Sequence, residues 1–125
     1  MIRFEHVSYR YKGKEKPAID GLSFRIKPGQ WVALIGPNGS GKSTLIQLLI
    51  GLKKPSSGSI RVCGLNPQNE KERQRLFERI GLVLQQPENQ IVGATVWDDV
   101  AFGLENRGVP YPEMEKRIRR SLTQV

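Results

Sequence analysis

Nine consecutive residues, Gly36-Pro37-Asn38-Gly39-Ser40-Gly41-Lys42-Ser43-Thr44, fill the pattern G-x-x-x-x-G-K-[ST] and constrain this chain more than any other feature it carries. The pattern makes chemical sense only where a strand enters the loop and a helix leaves it. Both flanks read that way: Trp31-Val32-Ala33-Leu34-Ile35 is an apolar run of strand length, and Ser43 to Leu52 carries apolar residues at helical spacing. Glycines at 36, 39 and 41 permit positive φ and let amide N–H groups close on phosphate oxygens. Those amides open a helix N-terminus, whose partial positive charge favours an anion. In such a loop Asn38, Gly39, Ser40 and Gly41 form the cradle and Lys42 reaches the β- and γ-phosphates as a point charge. The Ser43 hydroxyl ligates Mg²⁺, and Thr44 offers a second hydroxyl to a phosphate oxygen or to the backbone. The expected ligand is a nucleoside triphosphate.

A chain of 125 residues makes one domain at most, with room for a core but little for further machinery. Its net charge of +8 raises the question of nucleic acid. The basic residues are scattered, however: Lys12, Lys14 and Lys16 in a turn, Arg73, Arg75 and Arg79 near one short helix, Arg117, Arg119 and Arg120 on another. No aromatic residues interleave with them as a stacking platform would need, so no nucleic-acid partner is expected. Each cluster reads as a solvated face, with attraction to acidic headgroups or to the polyanionic ligand as the alternative. The single cysteine, Cys63, forms no internal disulfide, fits a reducing cytosol and reads as a small core residue of a strand. There is no signal peptide and no apolar run of membrane-spanning length, so membrane association would be indirect.

Ile2, Phe4, Val7, Tyr9 and Tyr11 approximate a two-residue alternation with one slip near His6, the mark of a bulge. Leu22, Phe24 and Ile26 form a second alternating run closed by Pro28-Gly29. The helix after the glycine loop ends near Gly51, where Lys53 and Lys54 suit its negative end and Pro55 forbids continuation. Gly58 to Val62 is a short strand, Glu70 to Glu78 a polar helix, and Ile80 to Leu84 a buried strand running into Gln85. Thr95 with Asp98 is a capping-box pattern opening a helix whose apolar face is Val96, Val100, Ala101 and Leu104. Gly108 ends it, and Pro112 starts a last helix carrying Met114, Ile118 and Leu122.

The glycine loop, the upstream aromatic Tyr11 and a strand ending in Gln85 together resemble the N-terminal half of an ABC transporter ATPase subunit. Narrower still, Gln85-Gln86-Pro87-Glu88-Asn89-Gln90-Ile91-Val92-Gly93-Ala94-Thr95-Val96, followed by Asp99-Val100-Ala101-Phe102-Gly103, is similar to the ATPases of energy-coupling factor importers, which serve vitamins and metal ions such as cobalt. The resemblance implies an α/β fold: a P-loop NTPase core of ABC ATPase type with N-terminal antiparallel strands, truncated in its helical subdomain. Residues 1–30 would supply the β strands, 31–85 the P-loop core, and 86–125 the Q-loop segment and the start of the helical subdomain. It implies ATP and Mg²⁺ as ligands, a transmembrane coupling subunit and a second ATPase subunit, identical or related, as partners, and a peripheral position on the cytoplasmic face of the cell membrane. Tyr11 matches the aromatic that stacks on adenine, although Tyr9 on the same strand face could serve instead, or Tyr11 could simply pack on the sheet. Gln85 matches the glutamine that ligates Mg²⁺ and senses the γ-phosphate, with Gln86 adjacent. Ile91, Val92 and Trp97 either make contact surface for the membrane partner or pack into their own subdomain.

The departures are as informative. The resembled family also needs a Leu-Ser-Gly-Gly-type signature, an acidic pair after a hydrophobic strand, and a switch histidine. Asp98-Asp99 reads instead as the first turn of a helix. His6, the only histidine, lies far upstream as a surface or edge residue. The resemblance further implies that strands between the P-loop strand and the Q-loop strand come from the other half of the parent, leaving a gapped sheet prone to rearrange, swap or aggregate. The expectation is a subunit that couples MgATP hydrolysis to import of a small solute, with the 125 residues alone binding nucleotide at best. The alternative is a non-hydrolysing nucleotide-binding or structural piece. An ABC-type ATPase acting on DNA or ribosomes is disfavoured by the stretch from Gln85 to Gly103.

Overall fold

The structure is a computed structural model and describes every residue except Leu84. The chain separates into two compact units, Met1–Gly81 and Leu82–Val125.

In the first unit, strand β1 (Ile2–Tyr9) lies between β2 (Ile19–Ile26) and β3 (Ser57–Val62), antiparallel to both. Both ladders slip along the second half of β1, and His6 there takes φ 49°. This is the bulge expected from the broken alternation, and its effect is to return Val7 to the face that Phe4 occupies. Phe4 and Val7 are both fully buried. Phe4 stacks on its cross-strand partner Phe24 with centroids 4.6 Å apart. The sheet face is covered by helix α1 (Lys42–Leu49), through Leu45 and Leu48, and by Leu76 of helix α2 (Glu70–Phe77). Ile19, Ile60 and Val62 complete this core. Helix α1 stops where Gly51 takes φ +77°, its amide reaching back to the Leu48 carbonyl. Helix α2 is capped by Asn69, whose side chain accepts from the Glu72 amide at 3.1 Å.

In the second unit a 3₁₀ turn (Pro87–Gln90) precedes helices α3 (Val96–Glu105) and α4 (Tyr111–Leu122). Ala101, Met114 and Ile118 are the buried contacts between these helices, with Trp97, Val100, Leu104, Val109 and Leu122 packed around them. The capping box is formed in full: Thr95 Oγ1 accepts from the Asp98 amide, and the Asp98 carboxylate accepts from the Thr95 amide. Asp98 and Asp99 therefore sit in the first turn of α3, as their spacing predicts. Among the described residues no helix is long and apolar enough to cross a membrane.

Four sequence expectations are corrected. Residues 31–35 are not a strand: Trp31 is fully exposed and Ile35 is 90% exposed. Residues 80–83 form no strand either, with Val83 81% exposed, and the end of that expected strand, Leu84, lies outside the described residues. The cause is common to both: an apolar segment becomes a strand only when neighbours pair its amides and cover its side chains, and among the described residues neither segment has a ladder partner. Cys63 is exposed rather than a core residue, because it falls one position past β3 at φ 52° in the turn that brings Leu65 back to Val62. Finally, Val96 is 68% exposed, and it is Trp97 that packs against the α3–α4 core in its place.

Candidate functional site: an uncapped helix behind a glycine loop

Helix α1 differs from α2 and α3 in how it begins. Its N-cap is Gly41 at φ 91°, with no side-chain hydrogen bond to the first-turn amides and no acidic residue in the first turn. The opening N–H groups of any helix lack intrahelical partners and need an acceptor from elsewhere. Here no side chain caps them among the described residues, and the preceding loop makes a tight turn, the Ser40 amide bonding to the Pro37 carbonyl at 3.2 Å. A Cβ at position 41 would lie 2.7 Å from the Ala18 carbonyl oxygen and 3.0 Å from Ile19 Cδ1, so only glycine fits between the loop and the start of β2.

Lys42 folds back across this loop, and its Nζ donates to the carbonyls of Gly36 at 2.6 Å and Pro37 at 2.8 Å. The ammonium is thereby held over the loop by two uncharged, exposed carbonyls; a phosphate oxygen would offer it the attraction of an opposite charge in addition to a hydrogen bond. The Ser43 side chain is exposed and makes no hydrogen bond among the described residues, which leaves its hydroxyl free for a ligand. Thr44 is 5% exposed, and its Oγ1 meets the Tyr11 hydroxyl at 2.9 Å. The expectation for Thr44 is a phosphate oxygen or the backbone, and the structure gives it this tyrosine hydroxyl instead. Tyr11 itself lies past the end of β1, with its ring packed edge-to-face against Tyr9 at 5.0 Å.

The loop also borders an open cleft of about 300 Å³, lined by Ile19, Leu22, Leu34, Ile35 and Leu45 on its apolar side. Ser40, Gly41 and Lys42 of the glycine loop line the same cleft on its polar side.

Thus Tyr11, Asn38, Gly39, Ser40, Gly41, Lys42, Ser43 and Thr44 belong to one unit, and a single hydroxyl pair joins Tyr11 to the loop helix. The donor set fits the group it is expected to hold: uncapped amides and one ammonium for a polyphosphate, and one free hydroxyl for a hard cation that keeps most of its water. Gln85 belongs to the second unit, exposed in a bend ahead of the 3₁₀ turn, where Gln86 is occupied as acceptor for Asn89 Nδ2 at 2.7 Å. Sequence reasoning missed Lys53. It is placed beyond the end of α1 rather than in its last turn, and its ammonium lies over the rings of Tyr9 and Tyr11. No linear pattern connects it to either tyrosine.

The second unit carries its own ordered loop. The Asp99 carboxylate accepts from the amides of Val92 at 2.8 Å and Gly93 at 3.0 Å, and these bonds hold its pKa below the usual carboxylate range. A folded-state pKa below the unfolded one contributes stability above the unfolded value, and that contribution is lost as pH falls through the lower, folded one. The loop should thus stay tied to α3 until strongly acidic pH. Replacing Asp99 by Ala is expected to increase hydrogen exchange at Val92 and Gly93 at neutral pH while α4 amides keep their protection; unchanged exchange at both would contradict it. The tie leaves Ile91 and Val92 outward, 63% and 60% exposed. Trp97 instead packs within its own unit, with the Arg119 guanidinium 5.5 Å over its ring.

A glycine loop feeding an uncapped helix, beside an antiparallel sheet, defines the class as a P-loop nucleotide-binding fold. The sequence profile of the ABC transporter family matches residues 19–125, and the chain belongs to that family. Over its whole length it is 49% identical to the energy-coupling factor transporter ATP-binding protein EcfA1 of Lacticaseibacillus paracasei and 48% identical to that of Listeria monocytogenes serovar 1/2a, covering 45% and 44% of those proteins. The chain thus spans less than half the length of these curated relatives. Among solved structures it resembles cbiO1 from Clostridium perfringens, part of the ABC transporter complex cbiONQ, with TM-score 0.85 and 38% identity over 98% of this chain and 49% of that one. It also resembles the dimeric ATP-binding cassette MJ0796 bound to ADP and Pi, with TM-score 0.78 and 29% identity over 98% of this chain and 56% of that one. The fold is accordingly that of an ABC ATPase core with N-terminal antiparallel strands, represented by its N-terminal part.

Proposed function

We propose that this chain is the nucleotide-binding part of an ATPase subunit that drives import of a small solute, a vitamin or a metal ion, across the cell membrane. The observation that carries the reading is the glycine loop from Gly36 to Thr44 with Lys42 poised over it and no cap on the helix behind it. The first-turn amides and Lys42 would hold the triphosphate, Ser43 and Gln85 would ligate Mg²⁺, and Tyr11 would stack on adenine. When bound, Mg²⁺ would supply charge neutralisation to the polyphosphate. The chain's own groups bind and orient. Lys42 exchanges two carbonyl partners for phosphate oxygens, and the dipole of α1 favours the negative charge.

Names of relatives support the transport half of this reading. The energy-coupling factor proteins are called transporter ATP-binding proteins, and cbiO1 is described as part of a transporter complex. The exposed Ile91 and Val92, held outward by Asp99, are the surface we assign to a transmembrane coupling subunit. A second ATPase subunit would complete the nucleotide sites, in line with the dimeric MJ0796 neighbour. The assembly would sit at the cytoplasmic face of the membrane.

Hydrolysis also needs a group to orient the attacking water. The only histidine, His6, is exposed at the β1 bulge, and Asp98 is committed to the α3 cap. We therefore expect the purified 125-residue chain to release phosphate from MgATP no faster than buffer does. Steady-state turnover above background, abolished by Lys42→Ala, would overturn that expectation.

A further inference from the structure

The base end of this site carries a cation that the phosphate chemistry does not need. Lys53 Nζ lies 4.8 Å from the centroid of the Tyr11 ring and 5.5 Å from that of Tyr9. Its position is built rather than incidental. The Lys53 amide donates to the Gln47 carbonyl at 3.1 Å, and its own carbonyl accepts from Gln68 Nε2 at 2.9 Å. The residue is half-buried, whereas neighbouring Lys54 is exposed. Among the described residues no carboxylate lies within ion-pairing distance of Lys53. The rings are therefore its company.

A cation over the face of a phenol is attracted by the ring quadrupole, and the attraction strengthens as water is excluded. Tyr11 is thereby restrained from three directions: its hydroxyl by Thr44, its ring by the edge-to-face contact with Tyr9, and the same aromatic pair by the Lys53 ammonium. Tyr11 as a residue remains 37% exposed. A ring already fixed in one orientation loses less freedom when a planar base stacks on it, which raises affinity without any new contact to the ligand.

We propose that Lys53 is a positioning residue for the purine base: it acts through Tyr11, holding that ring as a preformed stacking platform. The proposal rests on the reading of Tyr11 as the base-stacking residue. Its signature is selectivity between ligands with and without a base, because a general electrostatic attraction to phosphates would treat them alike.

The test is calorimetric titration of the complete polypeptide with MgATP and, separately, with magnesium tripolyphosphate, which carries the phosphates and no base. Lys53→Met is expected to weaken MgATP binding about two- to fivefold, the range of an exposed to part-buried cation–π contact, and to leave tripolyphosphate binding as in the unmodified protein. Lys53→Arg, which retains a cation able to lie over a ring, should restore MgATP affinity. Unchanged or tighter MgATP binding by Lys53→Met would overturn the proposal, as would an equal loss for both ligands. A Tyr11→Ala variant separates the two levels of inference. If it binds MgATP less tightly while Lys53→Met does not, Tyr11 stacks the base and Lys53 plays no part. If Tyr11→Ala itself binds MgATP normally, the stacking reading fails and the role of Lys53 fails with it.

Discussion

Replacing Lys42 by Ala in the complete subunit is expected to bring ATP-driven phosphate release and solute import to background while leaving assembly intact. The side chain of Lys42 makes two hydrogen bonds, both to exposed carbonyls of its own loop. Their loss is worth little to folding, because water replaces them. In the ligated state the same ammonium would make charged contacts with phosphate oxygens, each worth about 1.5–3 kcal/mol. Two such contacts correspond to a loss of affinity of roughly a hundredfold or more. The variant should therefore separate function from stability, with unfolding midpoints unchanged and nucleotide-dependent activity gone. Import that survives in reconstituted vesicles would remove this chain from the energy-coupling step.

Leu48→Ala is expected to do the reverse and damage the fold first. Leu48 is fully buried between α1 and the sheet, in the same cluster as Phe4, Val7, Ile60 and Leu76. Truncation of such a residue costs about 2–5 kcal/mol through lost transfer free energy and the cavity left behind. That is a large share of the 5–15 kcal/mol typical of a whole domain. Urea denaturation of the complete protein without nucleotide should show a lower midpoint, and saturating MgATP should recover part of the loss by mass action. A midpoint within error of the unmodified protein would mean that α1 is not docked on this core, and the loop would then lose its scaffold.

What the sequence made legible follows the range of the interactions involved. The β1 bulge at His6, the end of α1 at Gly51 and the capping box of Thr95 with Asp98 are set by residues within a few positions of one another, and each forms as its pattern predicts. Helix α1 after the glycine run is readable for the same reason. The apolar runs 31–35 and 80–83 do not form the strands their patterns suggest, because strand formation depends on partners remote in sequence, and pattern alone cannot report whether those partners are present. Residues 31–35 and 80–83 are consequently irregular and, at Trp31, Ile35 and Val83, open to solvent. Cys63 was misassigned by a single position at a strand end, the distance over which boundary readings ordinarily err. The hydroxyl contact of Tyr11 with Thr44 and the ammonium of Lys53 over the tyrosines depend on the antiparallel sheet bringing the end of β1 against the start of β3, where the Ser56 amide bonds to the Ser8 carbonyl at 2.8 Å. Such contacts appear only once the chain is folded.

Trp31 and Ile35 in the first unit, and Val83 in the second, each leave an apolar side chain open to solvent.

One measurement bears on all of this most directly: calorimetric titration of MgATP into the complete polypeptide, run beside its Lys42→Ala variant. The account predicts saturable binding at one site per chain, dependent on the triphosphate and at least a hundredfold weaker in the variant. Flat heats for the unmodified protein, or equal affinity with and without the Lys42 ammonium, would contradict the assignment of residues 36–44 as the seat of the nucleotide.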